Sequence, residues 1–204
     1  MDFNRAVDLF ERLFKIINFA AYDDSKRTIV STELALTAIN LLDSIHLLCG
    51  EKHFNGAGII LRSQYETFVR SVWSYHSATD AQVEKLSATL TKDSLLASKN
   101  IPGLAQMLAD LEKCPNVKNL MRALNEFRET SWLALNSLVH GGVFAMHGAV
   151  NEPPPERIET VFRTANGIAL LAIIQLGMLT GRPAIQQQIY AATAGYEDCL
   201  PPRN

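Results

Sequence analysis

Apolar residues recur along this chain every three to four positions, and no stretch alternates apolar with polar residues between hairpin turns. That period predicts an all-helical chain. Phe3, Val7, Phe10, Phe14 and Ile17 fall on one stripe of a first helix, which the AYDDS stretch at 21–25 ends. A second helix is expected from Lys26 to Cys49, with Gly50 as its stop and the short link EKHFNG leading into an antiparallel neighbour. The third helix holds LRSQYETFVRSVWSYH, residues 61–76, and should end near Ser77.

Thr79 with Gln82 has the spacing of a capping box and predicts a fourth, polar helix running through Lys92. A short helix should start at Ile101-Pro102 and stop at Cys114-Pro115, and a longer one should cover Val117 to His140, ended by Gly141-Gly142. NEPPPER is a stiff connector into an apolar helix that ends near Thr180. The last short helix is AIQQQIYAATA. These elements predict a single-domain antiparallel bundle of about six to eight helices over residues 1–196, with 197–204 as an exposed tail.

The chain has 204 residues, 48% hydrophobic and 20% charged, enough to close one substantial core. A formal charge of −2 supplies no basic field for coating nucleic acid or a membrane surface, so any RNA contact must come from a local cluster. Acids and bases are scattered through the apolar N-terminus, unlike a secretory signal, and a cytoplasmic location without membrane attachment is expected. Thr164 to Gly181 lacks charge, but Asn166 and Gln175 within it make a core helix the better reading. Three widely spaced cysteines suit reduced thiols rather than a disulfide framework.

Candidate chemistry gathers in the third helix. With Arg62 at 0° and about 100° per residue, Glu66 falls near 40°, Arg70 near 80° and Trp73 near 20°, while Phe68, Leu61, Val72 and Tyr65 fill an adjacent apolar arc. The charges therefore border the core. A simple ion-pair ladder would run from Glu66 to Arg70 in the favourable order. If the strip is partly buried, two arginines around one glutamate leave a cation in search of a partner, and a guanidinium fork suits phosphate or carboxylate oxygens. The far side of the helix carries Ser63, Gln64, Thr67, Ser71 and Ser74, small polar groups suited to contact with another helix or subunit. His76 and His140 could exchange protons near neutral pH, and the C-terminal end of a helix favours the charged ring of His140. His46, Cys49 and His53 have ligand types and spacings that suit zinc but no evident fourth ligand, and neither metal nor cofactor is expected.

The third helix followed by WLALNSLVHGG resembles a bacterial family of uncharacterised helical proteins with an R-x3-E-x3-R-x2-W helix and a later S-x2-H-x-G, matched here by Arg62, Glu66, Arg70, Trp73, Ser137, His140 and Gly142. More distantly, the helical plan and the Arg70-x5-His76 spacing resemble the HEPN superfamily. That resemblance implies a homodimer acting on RNA without metal, in a toxin–antitoxin or antiphage defence setting. Arg70, His76 and His140 would be catalytic, with Arg62, Glu66, Trp73 and Ser137 contacting substrate. Ser71 stands where such enzymes usually have another polar residue, and the motif lies on the third helix rather than late in the chain. The alternative is a non-catalytic interaction or regulatory module, with a cognate protein partner, in which the Arg/Glu cluster is structural.

Overall fold

A computed structural model describes residues 1–150 and 153–202. Among these it contains ten α-helices, two short 3-10 turns and no strand. The helices are α1 (Phe3–Ile16), α2 (Lys26–Gly50), α3 (Phe54–His76), α4 (Asp80–Ser87), α5 (Lys92–Ala97), α6 (Leu104–Leu111), α7 (Lys118–Val139), α8 (Val143–Val150), α9 (Pro155–Leu179) and α10 (Ile185–Ala192). The all-α bundle is as expected, but it has more helices than six to eight. The polar stretch after Thr79 does form the capping box, yet its helix ends at Ser87, and a second capping box at Thr91 starts α5. After Gly142 the chain turns straight into α8, a helix not expected from the sequence.

The centre of the bundle is the antiparallel pair α2 and α3, with α9 against both. Small residues let these helices approach closely: Ala35, Ala38, Ala57, Ala165, Ala169 and Ala172 are all buried. Ser71 Oγ donates to the Ser31 carbonyl at 2.7 Å, and Ser31 Oγ donates to the Ser71 carbonyl at 3.0 Å. Gln175 of α9 donates to Ser31 Oγ at 3.1 Å, and Gln64 donates to the Ala165 carbonyl at 3.3 Å. The small polar residues on the far side of α3 are thus largely a buried seam between helices, with Ser63 the exposed exception. By length and composition α2 and α9 could each cross a membrane. Both contribute buried residues to this core.

Two expectations at the chain ends are corrected. In α1 the buried seam is Ala6, Leu9, Phe10 and Leu13, whereas Val7 is 51% and Phe14 39% exposed. The stretch 197–204 is not simply an exposed tail, because Cys199 and Leu200 are buried; 203 and 204 lie outside the described residues. Polar side chains from distant helices hold this strap. Arg163 donates to the carbonyls of Glu197 and Leu200, each at 2.7 Å, and Arg5 binds Asp198 and the Gly195 carbonyl. Tyr196 donates its hydroxyl proton to Asp8. Behind the strap, Asn166 donates to the Cys199 carbonyl at 2.8 Å and faces His46 Nε2 at 2.7 Å through its Oδ1. Since the Asn166 amide nitrogen is engaged on the strap, its oxygen accepts and His46 Nε2 carries the proton.

Two predictions follow from these joints. Ser31→Ala strands the buried Gln175 amide and is expected to cost about 1 to 3 kcal/mol in urea unfolding, against less than about 0.5 for the exposed Ser63→Ala. Burial depresses His46 below its ordinary 6.5, despite the opposing hydrogen bond that it donates to Asn166 and the Asp43 charge. The neutral ring is therefore favoured in the folded state, and the stability it contributes is present above about pH 6.5 and lost as pH falls through the depressed folded value. The melting temperature should fall on that side. His46→Gln should flatten the slope only in part, because burial depresses His76 in the same direction.

Candidate functional site

Helix α7 runs antiparallel to α3 on the side away from the serine seam. At one end Tyr65 stacks on Phe127 at 4.2 Å and donates its hydroxyl to the Leu124 carbonyl at 2.9 Å. At the other, a Cβ on Gly58 would run into Leu138. Between these contacts α7 meets the charged strip. Arg62 Nε donates to Glu66 Oε1 at 2.8 Å, and Arg62 Nη1 donates to Asn136 Oδ1 at 2.7 Å. The guanidinium carbon lies 4.6 Å from the centre of the Trp132 ring. The Arg62 side chain is only 16% exposed, so this is a packed joint between helices rather than a solvated surface pair.

The ion pair therefore runs from Arg62 to Glu66 and not from Glu66 to Arg70. The reason is tertiary: Asn136 and Trp132 fix the Arg62 fork where Glu66 can complete it. Arg70 is left over. Its Nε is buried and has no hydrogen-bond partner among the described residues. Trp73 is fully buried and donates its indole proton to Asp110 Oδ2 at 3.3 Å. That carboxyl is held below the usual carboxylate range, chiefly by the Gln106 amide and then by Trp73 and Lys113.

The two histidines stand at opposite ends of α3, with His76 about 9 Å along the axis from Arg70. His140 caps the C-terminus of α7, exposed, near the level where Leu135 and Leu138 meet Gly58. His76 ends α3, eighteen residues beyond Gly58, or about 27 Å along the axis at 1.5 Å per residue. Arg70 lies between, about 18 Å from the Gly58 level on the same scale. The His76 ring packs edge-on against Tyr75 at 5.0 Å, and burial lowers its pKa.

Ser137 and Gly142 serve the backbone. Gly142 donates its N–H to the Ser137 carbonyl at 2.7 Å, and Ser137 Oγ accepts from the Phe144 N–H at 3.0 Å, capping the first turn of α8. A Cβ on Gly142 would sit 2.6 Å from Ser137 Oγ, and Gly141 adopts φ +64°. The S-x2-H-x-G pattern is thus the turn that reverses α7 into α8.

Asn136, Trp132 and Asp110 belong to the cluster but were not singled out from sequence. The first two were detectable: W-x3-N in WLALNSLVHGG puts both on one face of α7, as R-x3-E does on α3. Asp110 left no such signal. Of the zinc-like set, His46 is turned onto Asn166, and burial raises the Cys49 thiol to about 12, keeping it protonated at neutral pH. Among the described residues no three His, Cys, Asp or Glu side chains converge as a ligand set.

Gly142→Ala should destabilise by about 1 to 3 kcal/mol, since the added methyl displaces the capping hydroxyl. His140→Ala, two residues earlier, should shift the unfolding free energy by less than about 0.5 kcal/mol. Paired chemical denaturation curves measure both.

Comparison with curated proteins and with solved structures finds no match. A family model does match, over residues 35–202, a span that takes in all of α3 to α10 and so the whole cluster. The chain belongs to that family of unknown function, DUF6988.

Proposed function

We propose that the protein is a cytoplasmic, non-catalytic helical interaction module, of the regulatory or antitoxin-like kind, whose Arg/Glu cluster is a structural joint between α3 and α7. The observation that carries this reading is the occupation of Arg62: its fork is spent on Glu66 and Asn136 and its face on Trp132. Ser137 and Trp73 are likewise engaged, on Phe144 and Asp110. The two histidines stand at opposite ends of α3, so no acid–base pair faces a common substrate position within one chain.

Arg70 supports a second reading, the HEPN-like one. A guanidinium with a buried, unpartnered Nε is a cation lacking its anion, and an RNA phosphate would satisfy it. On that reading the histidines would have to meet Arg70 across a homodimer in a toxin or antiphage defence system.

One experiment separates the two. Labelled total RNA incubated with the purified protein in EDTA should stay intact, and Arg62→Ala should lower stability by about 1 to 3 kcal/mol through the loss of a half-buried, multiply bonded charge. Metal-independent cleavage that disappears in Arg70→Ala and His140→Ala overturns the module reading. Unchanged unfolding of Arg62→Ala overturns the joint.

A further inference from the structure

The link between α1 and α2, residues 17–25, folds back over the C-terminal end of α9. The Tyr22 N–H donates to the Leu179 carbonyl at 2.8 Å. The Tyr22 ring packs on Gly181, where φ is +69° and an added Cβ would sit 2.9 Å from that ring. Arg182 lays its guanidinium on the Phe19 ring, 3.6 Å from the centroid. These contacts fix the link as one wall of a groove of about 550 Å³. Its other walls are Phe14 of α1, Leu36 of α2 and Leu176 of α9, over buried Ile17 and Leu179. A concavity of this size and mainly apolar lining falls in the range of roughly 300 to 1,000 Å³ that small-molecule sites occupy.

The rim of the groove is charged unevenly. Lys15 lines it and Arg182 stands over Phe19, and among the described residues neither makes an ion pair. Glu11 is the single acid of the lining. At the end of α9 the backbone does not absorb this charge, since the Gly177 carbonyl accepts from Thr180 Oγ1 at 2.7 Å and the Leu179 carbonyl from Tyr22. Stacking on Phe19 occupies the face of the Arg182 guanidinium and leaves its N–H edge for an oxyanion.

We propose that this groove binds a single-chain amphiphile with an anionic head, of the medium-chain carboxylate class, whose tail lies along Phe14, Leu36 and Leu176 and whose carboxylate meets Lys15 and Arg182 at the rim. An uncharged tail leaves both cations unused, and a cationic head would face them. Phe14, Phe19 and Leu36 are 39%, 50% and 39% exposed. Three such side chains in a concavity are less than a stable protein interface needs but enough to seat one tail. The inference uses neither Arg62 nor Arg70 and stands apart from the function of the α3–α7 cluster.

Calorimetric titration of decanoate into the purified protein tests it, with 1-decanol and decyltrimethylammonium as tails of equal length. Decanoate should bind at one per chain, about tenfold more tightly than the alcohol, and the cation more weakly than either. Lys15→Gln/Arg182→Gln should bring decanoate down to the level of the alcohol while the alcohol is unaffected. Leu36→Glu, which sets a carboxylate in the exposed wall, should weaken decanoate by at least about tenfold. Both variants should keep the helical signal and melting temperature of the ligand-free wild type. Equal binding of the three tails, a preference for the cation, or a double variant that holds decanoate as the wild type does overturns the anionic head. Decanoate that does not saturate below its micelle concentration, or that binds Leu36→Glu undiminished, overturns the site. So does flotation of the protein with phosphatidylglycerol vesicles in place of one-to-one binding, which would assign the groove to a membrane.

Discussion

The seam where α2 and α3 trade hydroxyl-to-carbonyl hydrogen bonds through Ser31 and Ser71 sets the positions of the elements packed around it. Two helices can come this near only if their facing residues are small, and the alanines around the seam meet that condition. Because hydroxyls supply the contact, the seam must be fully satisfied to be stable, and Gln175 completes it from α9. The consequence is a three-helix core in which one side of α3 is permanently occupied. Two large residues of that helix, Tyr65 and Trp73, are then turned toward α7 and α6 respectively.

The charged strip of α3 is where the core gives way to solvent on that second side. A helix edge in this position can carry arginine, because the aliphatic stem lies on apolar neighbours while the head finds polar ones. Arg62 does both, over Trp132 and onto Asn136. The joint is specific because the partners come from a different helix, so α7 can take only one register against α3. Gly58 under Leu138 and the turn at Ser137–Gly142 enforce the same register further along.

How much of this was legible from sequence depended on whether the signal was local. The four-residue spacing of Arg62, Glu66 and Arg70 correctly marked a strip at the core boundary, since helical phase alone decides that. Which arginine Glu66 would choose was not legible, because the choice is made by Asn136 and Trp132, some seventy residues away. The first stripe was only partly right: Phe3, Phe10 and Ile17 pack on the core, but Val7 and Phe14 at the same spacing are exposed while Ala6, Leu9 and Leu13 face inward, a rotation that helical spacing alone does not reveal. The C-terminal strap left no periodic trace, being held by Arg5, Arg163 and Asn166 through its carbonyls, which every residue possesses.

Arg70 is the exception that gives the cluster functional interest. Its neighbours in the strip acquired partners as the bundle formed: Arg62 and Glu66 from each other, Trp73 from Asp110. A structural role accounts for such groups fully, because removing their charges would leave holes in a network that closes on itself. Arg70 is half-buried, and its Nε is shielded from water without an acceptor among the described residues. A protein that only needed to fold could carry an apolar or neutral residue there at less cost. Among the described residues, Arg70 is therefore the charge of the strip that the α3–α7 joint leaves with an unpartnered Nε.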